Sequence, residues 1–165
     1  MGRIDNALKW CLDKGEKGGK KHTGLVKIAP DKVESANQLK KANSDLRTMQ
    51  FLYDGNKTDW VASAAFYAMY HSLLAVLYRI GYESRNQECT IIAIEDFMQN
   101  GTIKLEQKYI DIIRNLQNDE DARSIREEMQ YGSRTAMEKR RCEALMDQAK
   151  DFVERISRVL EEIKA

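Results

Sequence analysis

The chain has 165 residues, of which 42% are hydrophobic and 32% are charged, and it contains a single proline. This length suits one domain with a substantial core, and the composition is that of a soluble globular protein. The formal net charge of +1 gives no reason, by itself, to expect a nucleic-acid-binding protein. With only two histidines and no cysteine pair at zinc-ligand spacing, we predict neither a metal ion nor a cofactor.

The N-terminal segment differs in charge from the rest of the chain. Residues 1–30 contain seven Lys and Arg against three Asp and Glu. Within them, residues 14–23 hold three glycines and four lysines, a composition that predicts a flexible basic loop. We therefore predict a basic N-terminal arm over residues 1–29, which docks on the body or on a partner, and a helical body over residues 30–165.

Two long helices are predicted first along the body. The first opens at Pro30, a residue favoured at helix starts, and its apolar positions recur every three or four residues up to a turn at 54–56. The second begins at the capping residue Thr58 or Asp59 and ends near Ile80. Because the turn between them is so short, the two helices must be antiparallel.

Four further helices complete the predicted bundle. Apolar positions indicate a short helix over 91–98, another over 105–116, and a third that starts at the acidic residues 119–121. The last helix has a heptad seam that packs inside the bundle or between subunits. Its seam residues lie seven apart, at Cys142, Ala149, Ile156 and Ile163. No strand pattern is found, so we predict an all-α, up-and-down antiparallel helical bundle.

Two observations bear on where the protein resides. Residues 60–78 contain no charge, which raises the question of a membrane span, but the segment is short for one and includes a histidine among small and tyrosine residues. We predict a buried central helix and no membrane. The three cysteines are odd in number and far apart, which argues against a disulfide framework and for the reducing cytoplasm.

One stretch resembles a known family. Residues 63–82 form an almost uncharged helix with tyrosines and one histidine, followed by a polar run over 83–90, and a later segment runs from Arg126 to Tyr131 and Gly132. In order and spacing these features resemble the HEPN family, the "higher eukaryotes and prokaryotes nucleotide-binding" domain, over residues 30–163. The resemblance implies a helical bundle that is usually dimeric. It also implies a groove for nucleotide or RNA, often in systems with a nucleotidyltransferase-type partner.

The ribonuclease motif of that family is absent. Many HEPN proteins are metal-independent ribonucleases with an arginine followed by four to six residues and then a histidine, because imidazole moves the proton of the ribose hydroxyl while guanidinium holds the phosphate. The residues at that spacing before His22 are Gly-Glu-Lys, and before His71 they are Ala-Ala-Phe. Catalysis is therefore not expected, although a ribonuclease with a non-standard site is a third hypothesis.

The predicted function is nucleotide or RNA binding by a non-catalytic or degenerate HEPN homodimer. The alternative is a protein-interaction module of the toxin–antitoxin type, paired with a nucleotidyltransferase-like partner. For each candidate residue a purely structural role, in the core or as a helix cap, is the competing interpretation. Tyrosines can stack on bases, arginines can hold phosphates and amides can read base edges. The predicted ligand-binding residues are Tyr67, Tyr70, His71, Arg79, Arg85, Asn86, Gln87, Arg126 and Tyr131.

Overall fold

A computed structural model describes residues 2–118 and 139–163. Most of these residues are helical, which confirms the all-α fold. The predicted helix after residues 119–121 and the start of the last helix lie outside the described residues. The helices are α1 (Arg3–Gly18), α2 (Lys32–Asp54), α3 (Val61–Ile80), α4 (Gln87–Gln99), α5 (Gln107–Asn118) and α6 (Lys139–Glu162). Short 3₁₀ turns (Gly19–Lys21 and Thr58–Trp60) and two strands, β1 (Leu25–Lys27) and β2 (Tyr82–Ser84), complete the described elements.

The chain divides into two compact units, which are described separately. The first unit consists of Met1–Leu39, Ser72–Glu106 and Ile156–Ala165, and the second of Lys40–His71 and Gln107–Arg155. Helices α2, α3 and α6 each contribute residues to both units.

In the first unit, α1 packs on α4, and a disulfide joins Cys11 of α1 to Cys89 of α4. Both cysteines are fully buried, with their Cα atoms 5.7 Å apart. The prediction of unpaired cysteines is therefore wrong, and the argument from cysteine usage for a reducing compartment fails with it. The two residues are 78 positions apart, so only the packing of α1 on α4 reveals that they meet.

The N-terminal arm is ordered where a flexible loop was predicted. Helix α1 continues to Gly18 and a 3₁₀ turn extends the helical path to Lys21. The glycines serve close packing here: a Cβ at Gly15 would lie 2.0 Å from the carbonyl oxygen of Leu25, and one at Gly24 would lie 2.4 Å from that of Cys11. Only glycine lets the backbone of β1 approach α1 so closely.

The strands form a two-stranded antiparallel ladder in which Leu25 pairs with Ser84 and Lys27 with Tyr82. Each strand has three residues, too few for the alternation by which strands are recognised in a sequence. The ladder ties the N-terminal arm to the residues that follow α3, and so fixes the geometry of the arm.

Helix α2 begins later than predicted. It starts at Lys32 rather than Pro30, and the carboxylate of Asp31 accepts the backbone N–H of Glu34 at 2.9 Å. A side-chain oxygen one residue before a helix satisfies a donor that the first turn leaves free. Asp31 therefore caps α2, and Pro30 precedes the cap.

The second unit is built around the apolar stripe of α6. Tyr109 of α5 packs edge-to-face on Phe152, with ring centroids 5.7 Å apart, and its hydroxyl donates to Asp151 at 3.0 Å. The seam residues Cys142 and Ala149 are fully buried in this unit, and Ile156 is buried in the first. These seam positions therefore contribute to the core of the chain.

The segment Thr58–Ile80 is long and apolar enough to cross a membrane by length and composition alone. However, 72% of its most apolar window is buried inside the protein. Burial of that extent is what the core helix of a soluble protein requires, as the sequence predicted.

Candidate functional site

A groove of about 380 Å³ lies in the second unit, between α2 and the start of α3. Helix α2 contributes Asp45, Thr48 and Leu52 to its lining. The facing side is formed by Trp60, Ser63, Ala64, Tyr67 and His71. Small residues on α3 leave the space, and the aromatic side chains on either side of them give it walls.

His71 is held in place by a carboxylate from α2. Its Nδ1 lies 2.6 Å from Oδ2 of Asp45, and both side chains are only slightly exposed. Because a carboxylate accepts a hydrogen bond, it favours the tautomer with the proton on Nδ1 and leaves Nε2 as an acceptor. Within the described parts of the chain, Nε2 has no hydrogen-bond partner. The histidine is thus oriented, and the described residues leave one ring nitrogen available.

Tyr67 and Trp60 are the exposed aromatic residues of the groove. The Tyr67 ring is stacked on the His71 ring, with centroids 5.9 Å apart and planes 23° from parallel. The side chain of Tyr67 is 44% exposed and that of Trp60 is 48% exposed. Half-exposed rings of this kind offer flat faces to a ligand at little cost in side-chain entropy.

Tyr70, which was also predicted to bind ligand, lies away from the groove surface. It is buried, and its ring stacks on Phe66 at 6.1 Å while it contacts His71 at a tilt. Tyr70 therefore supports the histidine and does not line the groove.

The sequence-based set missed Trp60 and Asp45. The spacing of seven residues between Trp60 and Tyr67 is a usable signal for a shared helix face, whereas Asp45 lies on another helix.

The charge of the groove limits what it can bind. Asp45 is the acidic residue of the lining, and among the residues that the structure describes no lysine or arginine lines the groove. A phosphate group therefore meets no lysine or arginine in this described lining. A neutral planar ring that stacks on an aromatic face and hydrogen-bonds to imidazole is the ligand type that fits.

Arg85 and Asn86 lie in the first unit, where β2 leads into α4. Arg85 is exposed and donates from Nε to Glu83 at 3.3 Å, and the same carboxylate oxygen lies 2.8 Å from Nε2 of His22. His22 is buried and its Nδ1 accepts the backbone N–H of Gly24. His22 belongs to residues 14–23, where a flexible loop was predicted, and the structure instead gives its ring two hydrogen-bond partners in a buried position.

Asn86 is the N-cap of α4. Its Oδ1 accepts the backbone N–H of Cys89 at 3.0 Å, and its Nδ2 donates to the carbonyl of Thr23 at 3.2 Å. Both ends of the amide are thus engaged in the fold, which matches the capping interpretation of this cluster. Gln87, the first residue of α4, is partly exposed.

Arg79, another of the predicted ligand-binding residues, lies in the last turn of α3. It lines a separate cavity of the first unit. Arg126 and Tyr131 lie outside the described residues. Of the predicted set, the structure brings Tyr67 and His71 together in the groove, with Tyr70 beneath them, and places Arg85, Asn86 and Gln87 side by side in the first unit.

The sequence model of the HEPN domain matches residues 36–160, which is most of the chain. The chain belongs to the HEPN family. No curated protein sequence matches it. The matched region of this HEPN protein includes both walls of the groove, whereas α1 and β1 precede it. The docked N-terminal arm and half of the disulfide are therefore additions to the part that the family shares.

Proposed function

We propose that this HEPN protein binds nucleotide or RNA without cleaving it, with a base held in the groove of the second unit. The observation that supports the proposal is the half-exposed Tyr67 ring stacked on a histidine that Asp45 orients, in a groove that Trp60 also lines. Stacking of a base on an aromatic side chain contributes about 1–3 kcal/mol and tolerates any base.

The Nε2 atom of His71, for which the described residues provide no hydrogen-bond partner, supplies the polar part of this recognition. As an acceptor it can receive a hydrogen bond from an exocyclic amine or a ring N–H of a base. A histidine that already stacks on Tyr67 loses little further freedom when a ligand arrives. The groove thus combines a flat surface with one directed hydrogen bond.

Binding without cleavage follows from the same lining. Phosphodiester cleavage needs a group that stabilises the developing charge on phosphate as well as a base, and the described lining of the groove offers no guanidinium or ammonium. In this proposal His71 positions a ligand, because the described lining gives it no cationic partner for cleaving the phosphodiester backbone.

Trp60 makes the test direct, since its fluorescence reports on the groove. The second tryptophan, Trp10, lies in the first unit beneath Lys14 and is replaced by Phe to remove its signal. In the Trp10→Phe protein, a nucleoside, its monophosphate and a short RNA should each quench Trp60 saturably. Tyr67→Ala should weaken binding by about 1–3 kcal/mol, whereas Tyr67→Phe should retain it.

Tyr53→Ala is the matched control. Tyr53 lies in the same unit but outside the groove, where its hydroxyl donates to Glu143, and that hydrogen bond is the main reason why the pKa of Tyr53 is raised. Its removal should leave nucleoside affinity unchanged. Equal affinity of Tyr67→Ala and the parent protein would contradict the assignment of the groove.

We propose that Phe51 makes a protein contact, either with a second copy of the chain in a homodimer or with a different partner protein. Its side chain is 76% exposed in α2, an unusual position for a large apolar residue. Sedimentation of the parent protein and of Phe51→Asp at tens of micromolar tests the homodimer. A dimer that becomes monomeric in the variant supports it. A parent protein that is monomeric contradicts it and favours a contact with a nucleotidyltransferase-like partner.

A further inference from the structure

A second cavity, of about 320 Å³, lies within the first unit. It is bounded by the start of α2, the last turn of α3 and the end of α6. Its charged lining residues are Lys32 at the first position of α2, Arg79 in α3 and Glu161 in α6. The cavity shares no lining residue with the aromatic groove.

Arg79 has an unused hydrogen-bond donor in this cavity. Its Nε is buried, and the described residues provide no acceptor for it. Buried N–H groups in folded proteins are almost always paired, so an unpaired guanidinium nitrogen calls for an acceptor beyond the described residues, which a bound anion can supply. The adjacent nitrogens of a guanidinium form a fork, so the acceptor that fits best has two or more oxygens.

The neighbouring groups do not meet this need. The hydroxyl of Ser35 donates to the carbonyl of Ala75 at 2.7 Å, so its proton is already engaged. Glu161 lines the cavity but forms no ion pair with Arg79 or Lys32 in the described structure. Two cations and one carboxylate leave a net positive charge on the side chains that line the cavity.

We propose that this cavity binds a phosphate group, with Arg79 as the principal donor and Lys32 as the second. Donors that come from two different helices suit a tetrahedral anion better than a planar carboxylate, whose two oxygens a single guanidinium already satisfies. The volume exceeds that of a free phosphate ion, so a phosphate monoester with a small organic group also fits. This site is independent of the base-binding groove and of the function proposed for it.

Inorganic phosphate is the probe, titrated by calorimetry at constant ionic strength. The parent protein should bind it saturably. Arg79→Gln should weaken binding at least tenfold and Lys32→Gln severalfold, whereas Glu161→Gln should strengthen it severalfold by removing the one negative charge of the lining. Arg3→Gln is the matched control, because Arg3 is an exposed arginine of the same unit whose partner is Glu95.

The gain expected from Glu161→Gln separates a phosphate site from a structural role of Arg79, since a structural arginine gives no reason for tighter anion binding. If Arg79→Gln does not fold, the phosphate affinity of Glu161→Gln alone tests whether the cavity binds phosphate. Equal phosphate affinity in the parent, Arg79→Gln and Glu161→Gln proteins would overturn the proposal, and so would acetate competing as well as phosphate. Tyr67→Ala should leave phosphate binding intact, so failure of one site leaves the other standing.

Discussion

Breaking the disulfide between Cys11 and Cys89 should destabilise the protein strongly. The bond closes a loop with a sequence separation of 78, and loop-closure entropy for that length amounts to about 4–5 kcal/mol at room temperature. Measured effects are usually smaller, about 2–4 kcal/mol, because reduced chains keep some structure. In a chain of this size each kcal/mol shifts the melting temperature by about 2–4 °C, so reduction should lower it by roughly 5–15 °C.

Urea unfolding of four samples measures the effect. The parent protein and the Cys11→Ala/Cys89→Ala double variant are each unfolded with and without a phosphine reductant. Reduction should lower the midpoint of the parent and leave the double variant unchanged. The Cys142→Ala variant is the control. It lacks only the free, buried thiol and keeps the disulfide, so reduction should lower its midpoint as it does in the parent.

A thiol titration on the same samples checks the pairing. Burial raises the pKa of the Cys142 thiol, so little reactive thiolate is present near neutral pH. The native protein should show no rapidly reacting thiol. The unfolded protein should show one, and the unfolded and reduced protein should show three. Three thiols in the unfolded protein before reduction, or a midpoint that does not respond to reductant, would show that α1 is not linked to α4.

Two further predictions concern a partly buried acid and the absence of cleavage. Burial, and to a lesser extent the charge of Asp5, raises the pKa of Asp96 above its ordinary value of 3.8. The stability that protonation of Asp96 contributes is therefore complete below that ordinary value and is lost as pH rises through the raised value. Asp96→Asn should therefore be more stable than the parent near pH 7, with the difference vanishing at low pH, and a less stable variant at pH 7 would contradict this sign. Labelled RNA should stay intact with the purified protein; cleavage that disappears in His71→Ala would identify a non-standard ribonuclease site.

The helices could be predicted from the sequence because their signals are local. The apolar periodicity of α6 and the uncharged stretch of α3 each depend on residues one or two turns apart, and the structure buries both. The glycines of the N-terminal arm show the limit of such reasoning. A glycine that permits flexibility cannot be distinguished in a sequence from a glycine that permits close packing. Gly15 is of the second kind.

Contacts between residues far apart in the sequence could not be predicted, and the candidate site depends on such contacts. Tyr67 and His71 are four residues apart on one helix, so their shared face was evident, but the carboxylate of Asp45 that orients the imidazole comes from α2. Nothing local distinguishes Asp45 from the other acids of that helix. The predicted arginines were chosen for their charge, and the described lining of the aromatic groove contains none of them. The proposed base site and the proposed phosphate site therefore share no lining residue, and a different single substitution is predicted to weaken binding at each.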